Sequence, residues 1–215
     1  GLHRWYVVKY SQDVPMTKAQ TSFGSLPGVD IFEPVQEVKI NDFNDLTSDM
    51  WGLNNTLYPE YDINVKPVWA EYTTGNPDVV VAVVDNGVDL NHEDLAANCL
   101  KTGHFNAVTN TSHIKAAVHG THVAGTIAAV NNNGKGVAGV AGGDHAKGQL
   151  GVKIMSCQIF QDNSDGTTTS AGGAAAIKYA ADNGAVIAQN SWGYNYDFDG
   201  DGQLTGDEYS KAMKA

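Results

Sequence analysis

Two short segments carry side chains that act together in acid–base chemistry. Asp85 directly follows an apolar run at residues 79–84, and His119 comes 34 positions later, with His122 three residues beyond it. An imidazole held by a carboxylate is a general base, although an aspartate after a strand is also a common turn residue that caps its own backbone. Two histidines three positions apart could lie on one helix face and bind zinc. The glutamate that stands between them in zinc proteases is absent, however. The glycine spacing of a dinucleotide site is absent as well.

A dense acidic run at residues 197–208 has the pattern of a twelve-residue calcium loop. Carboxylates stand at loop positions 1, 3, 5 and 12, glycine at position 6, and a residue that binds through its backbone carbonyl at position 7. The proposed ligands are Asp197, Asp199, Asp201, Gln203 and Glu208. The alternative is a solvated acidic loop, but carboxylates this close repel one another unless a cation neutralises them. We therefore predict an EF-hand-like structural calcium site with only an exiting helix.

The overall charge narrows the possible partners. The 215 residues contain 24 acids and 13 bases, which gives a formal net charge of −11. Such a surface repels phosphates, so we expect no nucleic-acid partner.

No window approaches the ~20 apolar residues of a membrane span, and we expect a secreted or cell-envelope protein whose signal peptide has been removed. Cys99 and Cys157 form no CxxC pair, which favours buried free thiols.

Strand and helix patterns alternate in the second part of the chain. Apolar, β-branched runs predict strands at residues 79–84, 152–160 and 185–189, and Ala-rich segments predict helices at 119–130 and 174–183. A short helix is expected at 66–73, after an irregular arm at 41–67. This rhythm predicts an α/β fold with an incomplete, doubly wound and mostly parallel sheet. In such sheets, reactive groups gather where strands end, as Asp85 does.

The segments that contain Asp85 and His119 together resemble those of the subtilisin-like serine peptidases, or subtilases. Asp-x-Gly follows an apolar strand, and His-Gly-Thr-His-Val-Ala-Gly-Thr opens a helix. The resemblance covers residues 51–193 and includes the segments 51–55, 74–76, 91–95, 136–141 and 190–193. It implies a triad in the chain order Asp, His, Ser. Asn86 departs from the pattern, since Thr or Ser is usual there.

This resemblance assigns roles to individual residues. Asp85 would orient the imidazole, and His119 would act first as general base and then as general acid. His122 matches the second, structural histidine of the family. The segment of Ser191, Trp192 and Gly193 would pair with the substrate backbone, unless it is an ordinary strand end. Asp94 matches a position that binds calcium in some subtilases.

The nucleophile that completes the triad has no match in the 215 residues. In the family it lies in a Gly-Thr-Ser-x-Ala motif, and the oxyanion asparagine lies in an Ala-Gly-Asn stretch; neither occurs here. Ser170 lies where the family has a variable loop and is not expected to replace it. A base without a nucleophile performs no acyl transfer, so we expect this chain alone to be inactive and to need the C-terminal part of the catalytic domain as a partner.

The first forty residues differ from the rest. Strands are predicted at residues 5–10 and 29–35, and residues 28–34 resemble the end of a subtilase propeptide. We expect a propeptide-like segment at residues 1–40, or alternatively an accessory strand pair, followed by a partial catalytic domain at 41–215. The predicted function is a serine endopeptidase acting on peptide or protein substrates. The alternatives are a pseudo-protease that only binds peptides and a calcium-stabilised structural module.

Overall fold

The structure is a computed structural model that describes residues 8–9, 11, 13–32, 42–164 and 168–193. The chain divides into two compact units, Gly1–Asn41 and Asp42–Ala215. The described helices are α1 (Met16–Gly24), α2 (Lys66–Glu71), α3 (Val118–Ala128) and α4 (Gly173–Asp182), with 3-10 turns at Pro59–Tyr61 and His145–Lys147. The strands are β1 (Val80–Asp85), β2 (Phe105–Asn106), β3 (Gly143–Asp144), β4 (Gln149–Leu150), β5 (Lys153–Gln158), β6 (Phe160–Asp162), β7 (Thr168–Ser170) and β8 (Ile187–Gln189).

A parallel sheet forms the centre of the second unit. Its four described strands lie in the order β2, β5, β1, β8, and every neighbouring pair is parallel. Two small antiparallel pairs, β3 with β4 and β6 with β7, lie outside this sheet. The strand predictions for residues 79–84, 152–160 and 185–189 are confirmed within a few residues, and the longer second run is divided between β5 and β6.

Helices cover both faces of this sheet, as a doubly wound fold requires. Val81 and Val83 of β1 pack in one apolar cluster with Ala124 and Ala128 of α3. Ala82 and Val84 pack in a second cluster with alanines of α4. Alternate residues of one strand therefore reach opposite faces, and the small alanines let each helix approach closely. The α/β prediction is confirmed.

The two cysteines are buried free thiols on opposite faces of the sheet. Cys99 belongs to the cluster beneath α3, and Cys157 belongs to the cluster beneath α4. Burial raises the pKa of Cys99 to about 11 and that of Cys157 to about 12. Both side chains therefore stay neutral and act as small apolar groups.

An arm at residues 42–72 packs on the loop that follows α3 through a third apolar cluster. Phe43, Leu53 and Val65 contribute to it together with Ala138. The Phe43 and Trp69 rings lie 4.7 Å apart, and Trp69 Nε1 donates a 2.8 Å hydrogen bond to the Val140 carbonyl. The arm is irregular until α2, as predicted.

The first unit departs from the strand prediction. Residues 13–32 contain a helix, α1, which the sequence reasoning missed, and Phe23 stacks on Phe32 with ring centroids 5.3 Å apart. Residues 29–32 form no strand, so the prediction for 29–35 is wrong in that part, because this aromatic pair folds the segment against α1. Residues 33–35, and most of the strand predicted at 5–10, lie outside the described residues.

Candidate active site

Asp85 and His119 meet at the carboxyl end of β1. His119 Nδ1 lies 2.7 Å from Asp85 Oδ1, which also accepts the Asn86 backbone N–H at 2.7 Å. The Asp85 side chain is 3% exposed and that of His119 is 55% exposed. Asp85 Oδ2 is buried and has no hydrogen-bond partner in the described part of the chain. With Nδ1–H donated to the carboxylate, His119 keeps an unprotonated Nε2 that can accept a proton.

Asn86 fixes the start of the helix that carries His119. Its side-chain oxygen accepts the Gly120 backbone N–H at 2.8 Å, which satisfies one of the free donors in the first turn of α3. From the sequence, Asn86 is recognisable only as a departure from the family pattern. Its position next to Asp85 is the signal that could have revealed this role.

The backbone at Gly87 accounts for the glycine two residues after Asp85. Its φ is +111°, and a Cβ there would lie 2.1 Å from the Lys115 carbonyl oxygen. Only glycine allows this conformation and this approach, so the Asp-x-Gly pattern has a local steric cause. The chain can then turn from β1 toward the segment before α3.

A pocket of about 630 Å³ opens beside His119. Gln158, at the end of β5, forms part of its wall and accepts hydrogen bonds from Asn106 Nδ2 and the Lys115 backbone N–H, both at 2.9 Å. Lys115 Nζ donates to the Asp162 carbonyl at 2.7 Å, which joins two sides of the pocket. The lining residues include Asn86, Lys115, Val118, His119, His122, Gln158 and Asp162. The imidazole therefore faces a cavity large enough for a substrate side chain.

The predicted substrate-pairing segment lies at the same end of the sheet. Trp192 Nε1 donates a 2.8 Å hydrogen bond to the Val84 carbonyl, one residue before Asp85. Ser191 Oγ accepts a hydrogen bond from Gln189 Nε2. The segment from Ser191 to Gly193 is thus held next to the strand that ends at Asp85. Ser170 lies in β7, where it pairs with Phe160.

Asp94 is linked through Asn133 to a second buried carboxylate, Asp45. Asp94 Oδ1 accepts Asn133 Nδ2 at 2.8 Å, and Oδ2 accepts the Val137 N–H at 3.0 Å. Asp45 Oδ2 accepts the Asn133 N–H at 3.0 Å, whereas its Oδ1 is buried and has no hydrogen-bond partner among the described residues. Burial raises the pKa of Asp45, and the Asp94 carboxylate acts in the same direction. Carboxylate oxygens of this kind are ligands that hard cations prefer, and this pair could supply two of them.

The acidic loop at residues 197–208 lies outside the described residues. Its predicted ligands Asp197, Asp199, Asp201, Gln203 and Glu208 therefore have no structural account. Among the residues described between 8 and 193, no cluster of three or more His, Cys, Asp or Glu side chains is placed to hold a metal ion. None of the described helices is both long enough and apolar enough to cross a bilayer.

Family and sequence comparisons agree with this geometry. The family model described as the subtilase family, Peptidase S8, matches residues 76–215. A thermophilic serine proteinase of Bacillus sp. strain AK1 is 33% identical over 70% of this chain and 36% of its own length. Fervidolysin of Fervidobacterium pennivorans is 36% identical over 71% of the chain and 21% of its own length. The cell wall-associated protease of Bacillus subtilis is 32% identical over 83% of the chain.

Solved structures give the same fold. The serine protease of Aeromonas sobria aligns with a TM-score of 0.54 at 25% identity, over 80% of this chain and 29% of that one. The chain spans between 20% and 36% of the length of the three curated relatives above. The matched region of this chain contains Asp85, His119 and the segment from Ser191 to Gly193.

Proposed function

This chain belongs to the subtilase family, and from that premise we propose that the full-length protein is a serine endopeptidase that hydrolyses peptide or protein substrates. The observation that carries the proposal is the 2.7 Å contact between His119 Nδ1 and the buried carboxylate of Asp85. A carboxylate in that place selects the imidazole tautomer whose Nε2 can take a proton. The pocket beside His119 supplies the space for a substrate.

In the proposed mechanism, His119 Nε2 takes the proton of a serine hydroxyl as that oxygen attacks the scissile carbonyl. The imidazolium is stabilised by Asp85, whose negative charge is effective because the side chain is only 3% exposed. His119 then returns the proton to the leaving amine, and a water repeats the cycle on the acyl-enzyme. The nucleophile and the oxyanion asparagine are proposed to lie outside these 215 residues, in which neither motif occurs.

The substrate backbone is proposed to pair with the segment of Ser191, Trp192 and Gly193. The location of this segment beside the end of β1 supports the proposal, because an extended peptide added there would lie next to Asp85 and His119. This form of binding is governed by main-chain hydrogen bonds, so it imposes little selection on the sequence of the substrate.

The rest of the catalytic domain is proposed to pack on the open side of β8. In the described residues, β8 pairs only with β1, and the side chains of Val186 and Ile187 are 71% and 51% exposed. A parallel strand with a free edge and apolar exposed side chains is unusual, because parallel sheets are normally covered. This surface supports the expectation that the 215 residues alone are inactive.

Structural calcium is proposed at two places. The loop at 197–208 is supported by its sequence, with Asp197, Asp199, Asp201 and Glu208 as carboxylate ligands and Gln203 as a carbonyl ligand. The pair of Asp45 and Asp94 is supported by the orphaned Asp45 Oδ1 and by the raised pKa of Asp45. When bound, calcium would neutralise these carboxylates and thereby stabilise the fold.

Residues 1–40 are proposed to be a propeptide-like segment that is removed on maturation, and the protein to be secreted or held in the cell envelope. The resemblance of residues 28–34 to propeptide ends supports the first proposal. The second rests on the Bacillus subtilis relative, which is named a cell wall-associated protease. N-terminal sequencing of the secreted protein tests both, since the mature chain should begin near residue 41.

The experiment that tests the main proposal is hydrolysis of a chromogenic peptide by the full-length protein. Wild type should cleave it and should be inactivated by a sulfonyl fluoride that modifies the active serine, with His119→Ala reducing kcat/KM by about 10⁶-fold. His145→Ala, at an exposed histidine of the His145–Lys147 turn, is the matched control and should keep full activity. Peptide binding without cleavage by wild type would indicate a pseudo-protease, and neither binding nor cleavage would indicate a structural module.

A further inference from the structure

Strand β8 stops pairing with β1 before β1 itself ends. The register between them joins Val81 with Ile187, Ala82 with Ala188 and Val83 with Gln189. On its other side, β1 continues to pair with β5 as far as Asp85. Among the described strands, the last two residues of β1, Val84 and Asp85, therefore have a neighbour on one side only.

The separation would leave the Val84 carbonyl without a donor. Val186 N–H donates to the Val80 carbonyl at 3.0 Å, and the period of two along a strand aims the Val84 carbonyl toward the same side. Val84 is fully buried, and a buried carbonyl without a donor is costly. Trp192 Nε1 supplies the donor at 2.8 Å. An indole thus takes the place of the next backbone N–H of the ladder.

Packing fixes the indole in this position. Its ring meets Phe160 edge to face, with centroids 5.9 Å apart at an interplanar angle of 79°. Gly173, the first residue of α4, lies beside the ring, because a Cβ there would be in ordinary van der Waals contact with the Trp192 six-membered ring at 3.6 Å. The side chain of Trp192 is therefore anchored between β6 and α4 while its backbone continues past Asp85.

The backbone on either side of this anchor has no partner of its own. In the part of the chain that the structure describes, no hydrogen bond engages the main-chain N–H or C=O of Ser191 or of Gly193. Ser191 and Gly193 are exposed, whereas Trp192 between them is half-buried. A strand with free donors and acceptors can accept another strand.

We infer that Trp192 is a positioning residue for the substrate backbone: its indole N–H ends the pairing of β8 with β1 and holds Ser191 and Gly193 unpaired beside Asp85. The inference rests on the proposed function, since it assigns the free edge to a peptide substrate. Trp192 acts on the site through its hydrogen bond to Val84 and through its own backbone. Its effect should therefore grow with the length of substrate that pairs with the edge.

The test removes the N–H and keeps the ring. In the full-length protein, Trp192 is replaced by benzothienylalanine, in which sulfur takes the place of the indole N–H. Trp69 receives the same replacement as a matched control, because its Nε1 also donates to a carbonyl at 2.8 Å, that of Val140, in the cluster under the arm. Each protein is assayed with a tetrapeptide anilide and with a small acetate ester that cannot pair with the edge.

We expect kcat/KM for the tetrapeptide to fall about tenfold in the Trp192 variant, mainly because KM rises. A loss of this size is typical of one hydrogen bond. Ester hydrolysis should stay within about twofold, and the Trp69 variant should keep both activities. Equal losses on both substrates, no loss on either, or the same loss in the Trp69 variant would each overturn it.

A binding measurement separates this inference from the proposed function. The affinity for a labelled peptide with a reduced scissile bond is measured by fluorescence anisotropy on the same three proteins. Absence of hydrolysis by wild type counts against the proposed function alone. Weaker peptide binding in the Trp192 variant, with unchanged binding in the Trp69 variant, still supports the inference in that case, and unchanged binding in both overturns it.

Discussion

A Cβ on Gly120 would lie 2.6 Å from the carbonyl oxygen of Gly87. The first turn of α3 is therefore in direct backbone contact with the loop that follows β1. The Gly120 N–H also donates a 2.8 Å hydrogen bond to Asn86 Oδ1. Gly120 therefore holds α3 against this loop through both a close contact and a hydrogen bond. Because His119 precedes Gly120 and Asp85 precedes Asn86, this contact sets the separation of the two side chains.

Gly120→Ala is expected to push the start of α3 away from β1. Overpacking of this kind costs roughly 1–3 kcal/mol of stability, and the displacement of His119 should lower kcat/KM about 10²-fold. Gly125→Ala is the matched control in the same helix, where a new Cβ meets nothing within 4 Å. There the change should be neutral or stabilising by about 0.5–1 kcal/mol. Activity and thermal midpoints of both variants check the prediction, which fails if the two behave alike.

Asp85→Asn should remove the charge while it leaves the shape of the site unchanged. Asparagine can present an N–H to His119 Nδ1, which selects the wrong tautomer and places the proton on Nε2. The expected loss in kcat is about 10⁴-fold with little change in KM. Asp89→Asn is the matched control. Asp89 lies four residues further on, is half-buried and accepts only the Asn91 N–H in the described structure, so this variant should keep activity. Retention of more than a tenth of the wild-type kcat by Asp85→Asn would contradict the assignment.

The sequence predicted the sheet well because its strands have a simple physical origin. Residues 79–84 are apolar throughout, and β1 is buried on both faces, so pattern and packing agree. The first unit was harder to predict, because the run at 29–35 has high β-propensity. At residues 29–32 this propensity gave way to the tertiary packing of Phe23 on Phe32.

The catalytic side chains of the candidate site were predictable, but the residues that hold them in position were not. Asp85 and His119 are recognisable by type and spacing, whereas Asn86, Gln158 and Trp192 act through contacts between distant segments. The bond from Trp192 to Val84 spans 108 positions, and no local pattern contains it. The role of Gln158 depends on the parallel register of β1 and β5, which a single strand does not determine.

Calcium at the pair of Asp45 and Asp94 predicts a specific response to a chelator. Removal of the ion should lower the thermal midpoint of the full-length wild type, because two buried carboxylates then repel each other. Asp94→Asn should reduce that drop, since one charge is gone. Glu93→Gln is the matched control, because Glu93 is the neighbouring exposed acid that pairs with Lys135 at 3.3 Å. If chelation lowers the midpoint of Asp94→Asn as much as that of wild type, calcium does not bind there.

The loop at 197–208 calls for a separate measurement. Glu208 stands at the bidentate position 12 and Asp207 at position 11, which binds no metal in this loop type. Glu208→Gln should therefore weaken terbium binding, seen as sensitised luminescence, by at least about tenfold, whereas Asp207→Asn should change it little. Equal weakening by both substitutions would indicate a diffuse acidic surface instead of a loop site.

His104 should make the stability of the protein depend on pH. The ring is buried, its Nδ1 accepts the Ser156 N–H at 3.0 Å, and its Nε2 lies 3.0 Å from the Leu100 carbonyl. Both contacts suit the neutral ring, and desolvation lowers the pKa of His104 below its ordinary value of 6.5. The unfolded chain therefore takes up a proton at a higher pH than the folded protein does.

The stability from this site should be fully present above about pH 6.5 and should be lost as pH falls toward the lower folded pKa of His104. Urea midpoints of the full-length protein measured at pH 7.5 and at pH 5.5 check this, with the midpoint lower at the acidic value. In His104→Gln, which stays neutral and can still accept the Ser156 N–H, the difference between the two midpoints should shrink. His113→Gln, at an exposed histidine, should keep the wild-type difference. A His104→Gln protein with the full wild-type difference would show that other groups cause the acid sensitivity.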